Sequence, residues 1–285
     1  MYAGISPSEE GAGSPEQSLE CVRVKGGAEL VFEQRAGRTV AASVREWDGY
    51  RVRWPRRRDG LEAVIVNTGG GVAGGDHVVF RVEAREEASA ILTTPTAERV
   101  YGALGSATAS IDLRLELKNN ARISWIPQET IIFDRARLKR TITADVDSSA
   151  SLLISEAVIF GREAMGETVR TGAYRDAWRI SRAGELVFAE TARVEGPIEE
   201  ILREAPTAGG RHVLATVLFV SPSAAVRLGA VRRALEDAGC EAAASAWNGL
   251  IVVRLLGTCG MSVRAAQARV LSVLMNGPLP RVWAN

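Results

Sequence analysis

The strongest constraint in this chain is a period-two alternation of apolar residues, broken by turn residues, that runs from Val22 to about Val194. Val78, Phe80 and Val82 are spaced in this way, as are Ile111, Leu113, Leu115 and Leu117. Successive side chains of a strand point to opposite faces, so the spacing gives each strand one buried face and predicts a β-rich body. Three stretches echo one another, each a strand, a polar turn, an alanine and a second apolar strand. The alanines are Ala88, Ala121 and Ala150, preceded by the turns Glu86-Glu87, Asn119-Asn120 and Ser148-Ser149. Two architectures fit. One is a mainly β fold of stacked layers, helical or solenoid-like, with each echo as one layer; the other is a β-sandwich with look-alike hairpins. The alanines stand 33 and then 29 residues apart, and this unequal spacing leaves both open.

After Gly209 the pattern changes to a small α/β element. The apolar strand Val213 to Val220 runs into Ser221-Pro222, which predicts a helix to about Ala238 with Val231, Leu235 and Ala238 on its buried face and Gly239 as its stop. Asn248-Gly249 predicts a two-residue hairpin turn into a strand from Leu250 to Leu256. Ser262 is the predicted cap of a second helix carrying Val263, Ala266, Val270, Leu271 and Leu274, ended by Asn276-Gly277-Pro278. Residues 20–285 therefore read as one domain, a β-rich body over about 22–208 and an α/β element over about 209–285. Residues 1–19, rich in Gly, Ser, Pro and Glu and without the charged and apolar regions of a signal peptide, read as a disordered tail.

Charge and metal-ligating residues narrow the function. The formal charge is +1, so no global basic field draws in nucleic acid or an anionic membrane. The run Val213 to Val220 is far short of the ~20 residues that span a bilayer. Cys21, Cys240 and Cys259 are widely spaced, with no Cys-x-x-Cys pair, so neither a disulfide framework nor a zinc site is encoded and a reduced, cytoplasmic protein is expected. His77 and His212 are the two histidines, too few for most imidazole-based sites.

The most chemical-looking segment is Asn67-Thr68-Gly69-Gly70-Gly71-Val72-Ala73-Gly74-Gly75-Asp76-His77. Gly69, Gly71 and Gly74 satisfy G-x-G-x-x-G, but Val78 to Glu83 alternates as a strand where a phosphate site needs a helix N-terminus. A nucleotide-binding enzyme using Gly69 to Gly75 is the rival this leaves; the plainer reading is a loop in which glycine permits close approach of another backbone. Asp76 reads as a surface carboxylate and His77 as a partly buried imidazole. Trp125 to Asp134 sets Gln128, Glu129 and Asp134 among apolar neighbours, either salt-bridged to arginine or lining an internal path. Gly161-Arg162-Glu163-Ala164-Met165-Gly166-Glu167 reads as an exposed loop of fixed geometry. Arg51, Arg53, Arg56, Arg57 and Arg58 around Trp54-Pro55 form a local basic cluster, either solvated turn arginines or an RNA-binding module over Arg51 to Arg58.

Taken in order, these segments resemble the urease accessory protein D (UreD, also UreH) family. The resemblance is carried by Asn67 to Asp76, by Leu92-Thr93-Thr94-Pro95-Thr96-Ala97-Glu98-Arg99-Val100-Tyr101, by Trp125 to Phe133, by Gly161 to Glu167 and by Pro278-Leu279-Pro280-Arg281-Val282-Trp283, over roughly residues 25 to 285. Arg53 to Arg58 departs from the family's aromatic, proline-rich sequence. Arg99 stands where members usually carry Lys, which keeps the charge and alters its hydrogen-bond geometry. The resemblance implies a non-catalytic maturation factor that docks on apo-urease and joins an F-type accessory protein, which recruits a G-type GTPase for GTP-dependent nickel insertion. It also implies an internal passage for Ni²⁺ in transit, with no tightly bound cofactor. Asp76, Glu129, Asp134, Glu156 and Glu167 are the carboxylates in or beside these motifs and are the candidates for that path. Gly70, Gly71, Gly74, Arg99, Tyr101, Gly161, Arg162, Arg281 and Trp283 are the candidates for partner contacts. Trp283 is either an exposed interface anchor or packed into the body.

Overall fold

The alternation of the sequence is resolved in the computed structural model, which describes residues 23–57, 60–103, 105–162 and 165–284. The predicted tail, Cys21, Arg58, Glu163 and Ala164 lie outside the described residues. Strands β1 (Lys25–Arg35) and β2 (Arg38–Trp47) form a hairpin, and β3 (Tyr50–Arg53) pairs antiparallel with β4 (Leu61–Asn67). From there the chain runs through β5 (His77–Ala84), β6 (Ser89–Thr93), β7 (Glu98–Val100), β8 (Ala109–Leu117), β9 (Arg122–Trp125), β10 (Thr130–Ile132), β11 (Arg137–Val146), β12 (Ser151–Phe160) and β13 (Gly172–Arg182). Most successive strands of this run enter opposite sheets. The first sheet has the order β14-β13-β11-β8-β5-β1-β2, with β14 (Glu185–Gly196) closing a hairpin on β13. The second continues from β3-β4-β6-β9-β12 into three later strands and carries the short β7 and β10 beside it.

This is the stacked arrangement. Neighbours β1, β5, β8, β11 and β13 pair parallel, as do β4, β6, β9 and β12, whereas hairpins of a sandwich would place consecutive strands antiparallel. The three echoes are one repeated corner. The amides of Ala88, Ala121 and Ala150 donate to the carbonyls of Arg85, Lys118 and Asp147, and each alanine is fully buried. The next layer docks onto that corner: Arg122 N–H donates to Ala88 O (2.8 Å) and Ser151 N–H to Ala121 O (2.9 Å). The unequal spacing is absorbed at the opposite corner, where Leu92 leads to Ser110 by a longer connection than Trp125 to Lys139.

Val78, Phe80 and Val82 with Leu113, Leu115 and Leu117 fill the space between the sheets. Each such side chain contributes about 1.5–3 kcal/mol through burial. Phe80 is the aromatic centre, 5.3 Å from Tyr50 and 5.5 Å from Trp125 between ring centroids.

The α/β element adds a third layer. Helix α1 (Ile198–Arg203), which periodicity did not predict, buries Ile198 and Leu202. Strand β15 (Val213–Val220) extends the second sheet beside β12. After α2 (Ala224–Ala234), the strands β16 (Glu241–Trp247) and β17 (Leu250–Gly257) form the predicted hairpin, with both Asn248 and Gly249 at positive φ. Helix α2 stops short of Ala238 because the chain turns through Asp237 (φ 54°) and Gly239 (φ 68°), although Leu235 and Ala238 still pack on the same face. Ser262 lies inside α3 (Gly260–Met275) rather than capping it, and its hydroxyl donates to the Cys259 carbonyl at 2.9 Å. Asn276, at φ 52°, ends α3 as predicted. Among the described residues no helix is long and apolar enough to cross a membrane.

Candidate functional site

Alternation also exposes charges placed out of phase. On β11, Leu138, Ile142 and Ala144 point inward, and so does Arg140; on β13, Asp176 shares the inward phase of Tyr174, Trp178 and Ile180. Glu156 lies in the apolar run of β12. These groups meet between the sheets. Arg140 Nε donates to Asp176 Oδ1 at 3.0 Å and Nη2 to Oδ2 at 2.6 Å, while Nη1 pairs with Glu156. Trp125 Nε1 donates to the other oxygen of Glu156 at 2.8 Å, and the Tyr174 hydroxyl donates to Asp176 at 3.2 Å. One guanidinium thus faces two carboxylates. Burial pushes Glu156 above the usual carboxylate range, with Arg140 opposing and Asp176 adding to the rise. Burial opposes the charge of Arg140, but Asp176 and Glu156 outweigh it and hold the guanidinium more firmly protonated than usual.

Arg140 and Glu156 form one wall of a cavity of about 130 Å³, large enough for several waters. The other walls include Tyr50, Asn67, Glu98, Trp125 and Gln128. Glu98, on β7, accepts from Asn67 Nδ2 at 3.0 Å and is pushed up to about 7 by burial, against hydrogen bonds from Asn67, the Arg99 amide and Tyr50. Tyr50 is itself raised by burial and by the charges of Glu98 and Asp76. Gln128 Nε2 is buried and has no acceptor among the described residues, while its Oε1 accepts from Arg264. The cavity therefore offers the carboxylates of Glu98 and Glu156 to an occupant.

The five sequence-chosen carboxylates do not lie together. Glu156 lines this cavity; Glu129 lines a second one and pairs with Arg264 Nη1 at 3.2 Å, and Glu167 lines a third. Asp76 is buried, opposite to the surface carboxylate expected, because its oxygens accept the amides of Val24 (3.0 Å) and Ala73 (2.7 Å). His77 is the exposed member of that pair, its Nδ1 2.6 Å from Ser110 Oγ. Asp134 accepts the amides of Arg170 and Thr171. Among the described residues no three of His, Cys, Asp and Glu gather closely enough to hold a metal ion.

The partner candidates divide into two places. The glycine loop leads into β5, a strand, which removes the helix a nucleotide site requires, and its close approaches are internal. A Cβ on Gly71 would collide with the Tyr101 ring and lie 2.8 Å from the Arg99 carbonyl oxygen; one on Gly74 would lie 2.8 Å from Ala103 Cβ. The Tyr101 hydroxyl donates to Gly70 O at 3.0 Å, and its ring stands edge-on to Phe133 at 5.0 Å. Arg162 lies over the Phe133 ring at 4.3 Å and pairs with Glu167 at 2.5 Å, with Gly161 turning the chain at φ 88°. Tyr101 and Phe133 thus link Gly70 to Arg162, a proximity that their separation in sequence concealed.

Arg281–Trp283 is elsewhere, a 3₁₀ turn in which Trp283 is packed into the body. Its Nε1 donates to Ile126 O at 3.1 Å and Arg264 covers its ring at 4.8 Å. Arg57, from the basic cluster, is likewise turned inward to Glu62 at 3.3 Å, which takes it out of any basic face formed by the described arginines of that cluster.

Comparison with known proteins places this architecture. The family described as UreD urease accessory protein matches residues 24–284. A Urease accessory protein UreD of Azorhizobium caulinodans is 42% identical over 275 residues, covering 96% of this chain and 99% of the relative. That of Xanthobacter autotrophicus is 43% identical over 281 residues, covering 98% and 96%. A Urease accessory protein UreD 2 of Methylorubrum populi is 45% identical over 255 residues, covering 87% and 85%. With a match over nearly its whole described length and relatives covered end to end, the chain belongs to the UreD urease accessory protein family.

Proposed function

We propose that this chain is a non-catalytic scaffold of urease maturation, a cytoplasmic protein that docks on apo-urease and joins an F-type accessory protein, which brings a G-type GTPase. GTP hydrolysis by that partner then drives nickel insertion into urease. The observation that carries this reading is the near-full-length family match. The surface built by Gly70, Tyr101, Phe133 and Arg162 supports a partner contact, because aromatic and arginine side chains fixed by neighbours lose little entropy on docking.

The cavity of Glu98 and Glu156 is our choice for a passage that takes Ni²⁺ as cargo. Carboxylate oxygens hold Ni²⁺ more loosely than imidazole or thiolate, and a conduit must release what it admits. Of the five carboxylates chosen from sequence, Glu156 is retained in this passage and Glu98 is added to it.

Co-expression with urease and the F- and G-type proteins tests the reading. Glu98→Gln and Glu156→Gln are expected to assemble the complex as wild type does and to lower nickel content per urease. Wild-type nickel content in both variants removes the passage while leaving the scaffold role standing; loss of assembly in neither variant and in no Tyr101→Ala or Arg162→Ala protein removes the proposed contact surface.

A further inference from the structure

Arg57, unused by the maturation reading, lines a separate cavity of about 470 Å³ on the helix-facing side of the second sheet. Small-molecule sites fall in the range of ~300–1,000 Å³. The C-terminal end of α3, through Leu274 to Pro278, closes one side, and Ser223 and Arg227 at the start of α2 close another.

Strand register builds the floor. Parallel pairing sets Ser89 beside Arg122 and Arg122 beside Ser151, at the first residues of β6, β9 and β12. The Ser151 hydroxyl donates to Ser221 Oγ at 3.0 Å. Two residues further along β9, and so on the same face, stands Ser124. This row of hydroxyls around a guanidinium is a consequence of the stacked layers.

Charge then selects the occupant. Arg57, Arg122 and Arg227 line the cavity, and among the described residues no carboxylate does. Arg57 is partly neutralised by Glu62 behind it and also donates to the Pro278 carbonyl, and among the described residues Arg227 donates to the carbonyls of Val273 and Leu274. Arg122 makes no ion pair or hydrogen bond through its side chain with any described residue.

We infer that this cavity binds a small phosphate-bearing anion, with Arg122 as the charged contact, Arg57 and Arg227 adding positive charge at the walls, and the serine hydroxyls as further donors. A tetrahedral phosphate accepts hydrogen bonds from several directions at once, which suits guanidinium groups on different walls and hydroxyls on the floor. A cavity walled by Arg57 and the end of α3 suits a compact anion rather than a running nucleic-acid backbone.

The test is titration calorimetry of the purified full-length chain with inorganic phosphate, pyrophosphate and glucose 6-phosphate, with citrate as a carboxylate-only control at matched ionic strength. Saturable one-to-one binding of a phosphate probe is expected. Uptake of inorganic phosphate or pyrophosphate identifies a free anion; preference for glucose 6-phosphate identifies a phosphomonoester. Arg122→Ala should weaken binding by about tenfold or more, and Ser124→Asp, which puts a carboxylate into the cavity, should abolish it. Both positions retain solvent contact, so the unliganded melting temperatures should stay at wild type. No saturable binding of any phosphate probe, citrate bound as tightly, or unchanged affinity in a folded Arg122→Ala protein overturns the assignment.

Discussion

Replacing Glu98 with glutamine isolates the electrostatic cost of the central cavity. In the folded protein this carboxyl titrates near 7 against an ordinary 4.5, chiefly because burial penalises its charged form. A carboxyl raised on folding binds its proton more tightly in the folded than in the unfolded state, so its ionisation destabilises the fold as pH rises. The contribution is absent below 4.5, grows between 4.5 and about 7, and is complete above that. At about 1.36 kcal/mol per pH unit the gap corresponds to about 3 kcal/mol. Glutamine cannot ionise but keeps an oxygen for Asn67 Nδ2. Urea unfolding of both proteins across the range from pH 5 to pH 8 should therefore show the variant gaining on wild type as pH rises, by up to about 3 kcal/mol. A difference that stays constant with pH, or that grows in favour of wild type, would refute the claim that Glu98 is ionised at a cost in this cavity.

Four further substitutions probe other parts of the fold. Arg140→Met leaves Glu156 and Asp176 buried against each other and should cost about 3–5 kcal/mol, read as a lowered urea midpoint at neutral pH. Gly71→Ala should cost about 3 kcal/mol because its Cβ collides with Tyr101, whereas Gly70→Ala, with open space and only its positive φ to oppose it, should cost about 1 kcal/mol; equal losses would contradict the close-approach argument. Trp283→Ala removes a packed indole, its hydrogen bond to Ile126 and its contact with Arg264, for about 3–5 kcal/mol in the same assay; an unchanged midpoint would mean that the indole is not anchored.

The layers were legible because period-two alternation and a repeated alanine corner are local signals. What alternation could not supply was pairing: Ala88, Ala121 and Ala150 mark equivalent corners, but only the parallel registers distinguish stacked layers from hairpins. Short α1 carries too few residues for a periodic stripe, and the end of α2 was set by backbone reversal at Asp237 rather than by its apolar spacing. Arg140 and Asp176 were readable in principle, since each occupies an inward position of an alternating strand. Glu98 carried no such mark, being in a three-residue strand after Thr93 to Ala97. The carboxylates chosen by proximity to motifs divided by what their local backbone needed. Asp76 and Asp134 accept main-chain amides, a demand set by turns that the sequence does not reveal.

Family membership makes urease maturation the central claim, and one measurement addresses it directly. Apo-urease is co-expressed with the F-type protein and the G-type GTPase, with and without this chain, and the complex, its nickel content and nickel-dependent urease activity are followed together. The account predicts co-purification of this chain with its partners, and nickel loading and activity that appear only when it is present. Full nickel loading and activity without the chain, or no association with urease or the other accessory proteins, would contradict it.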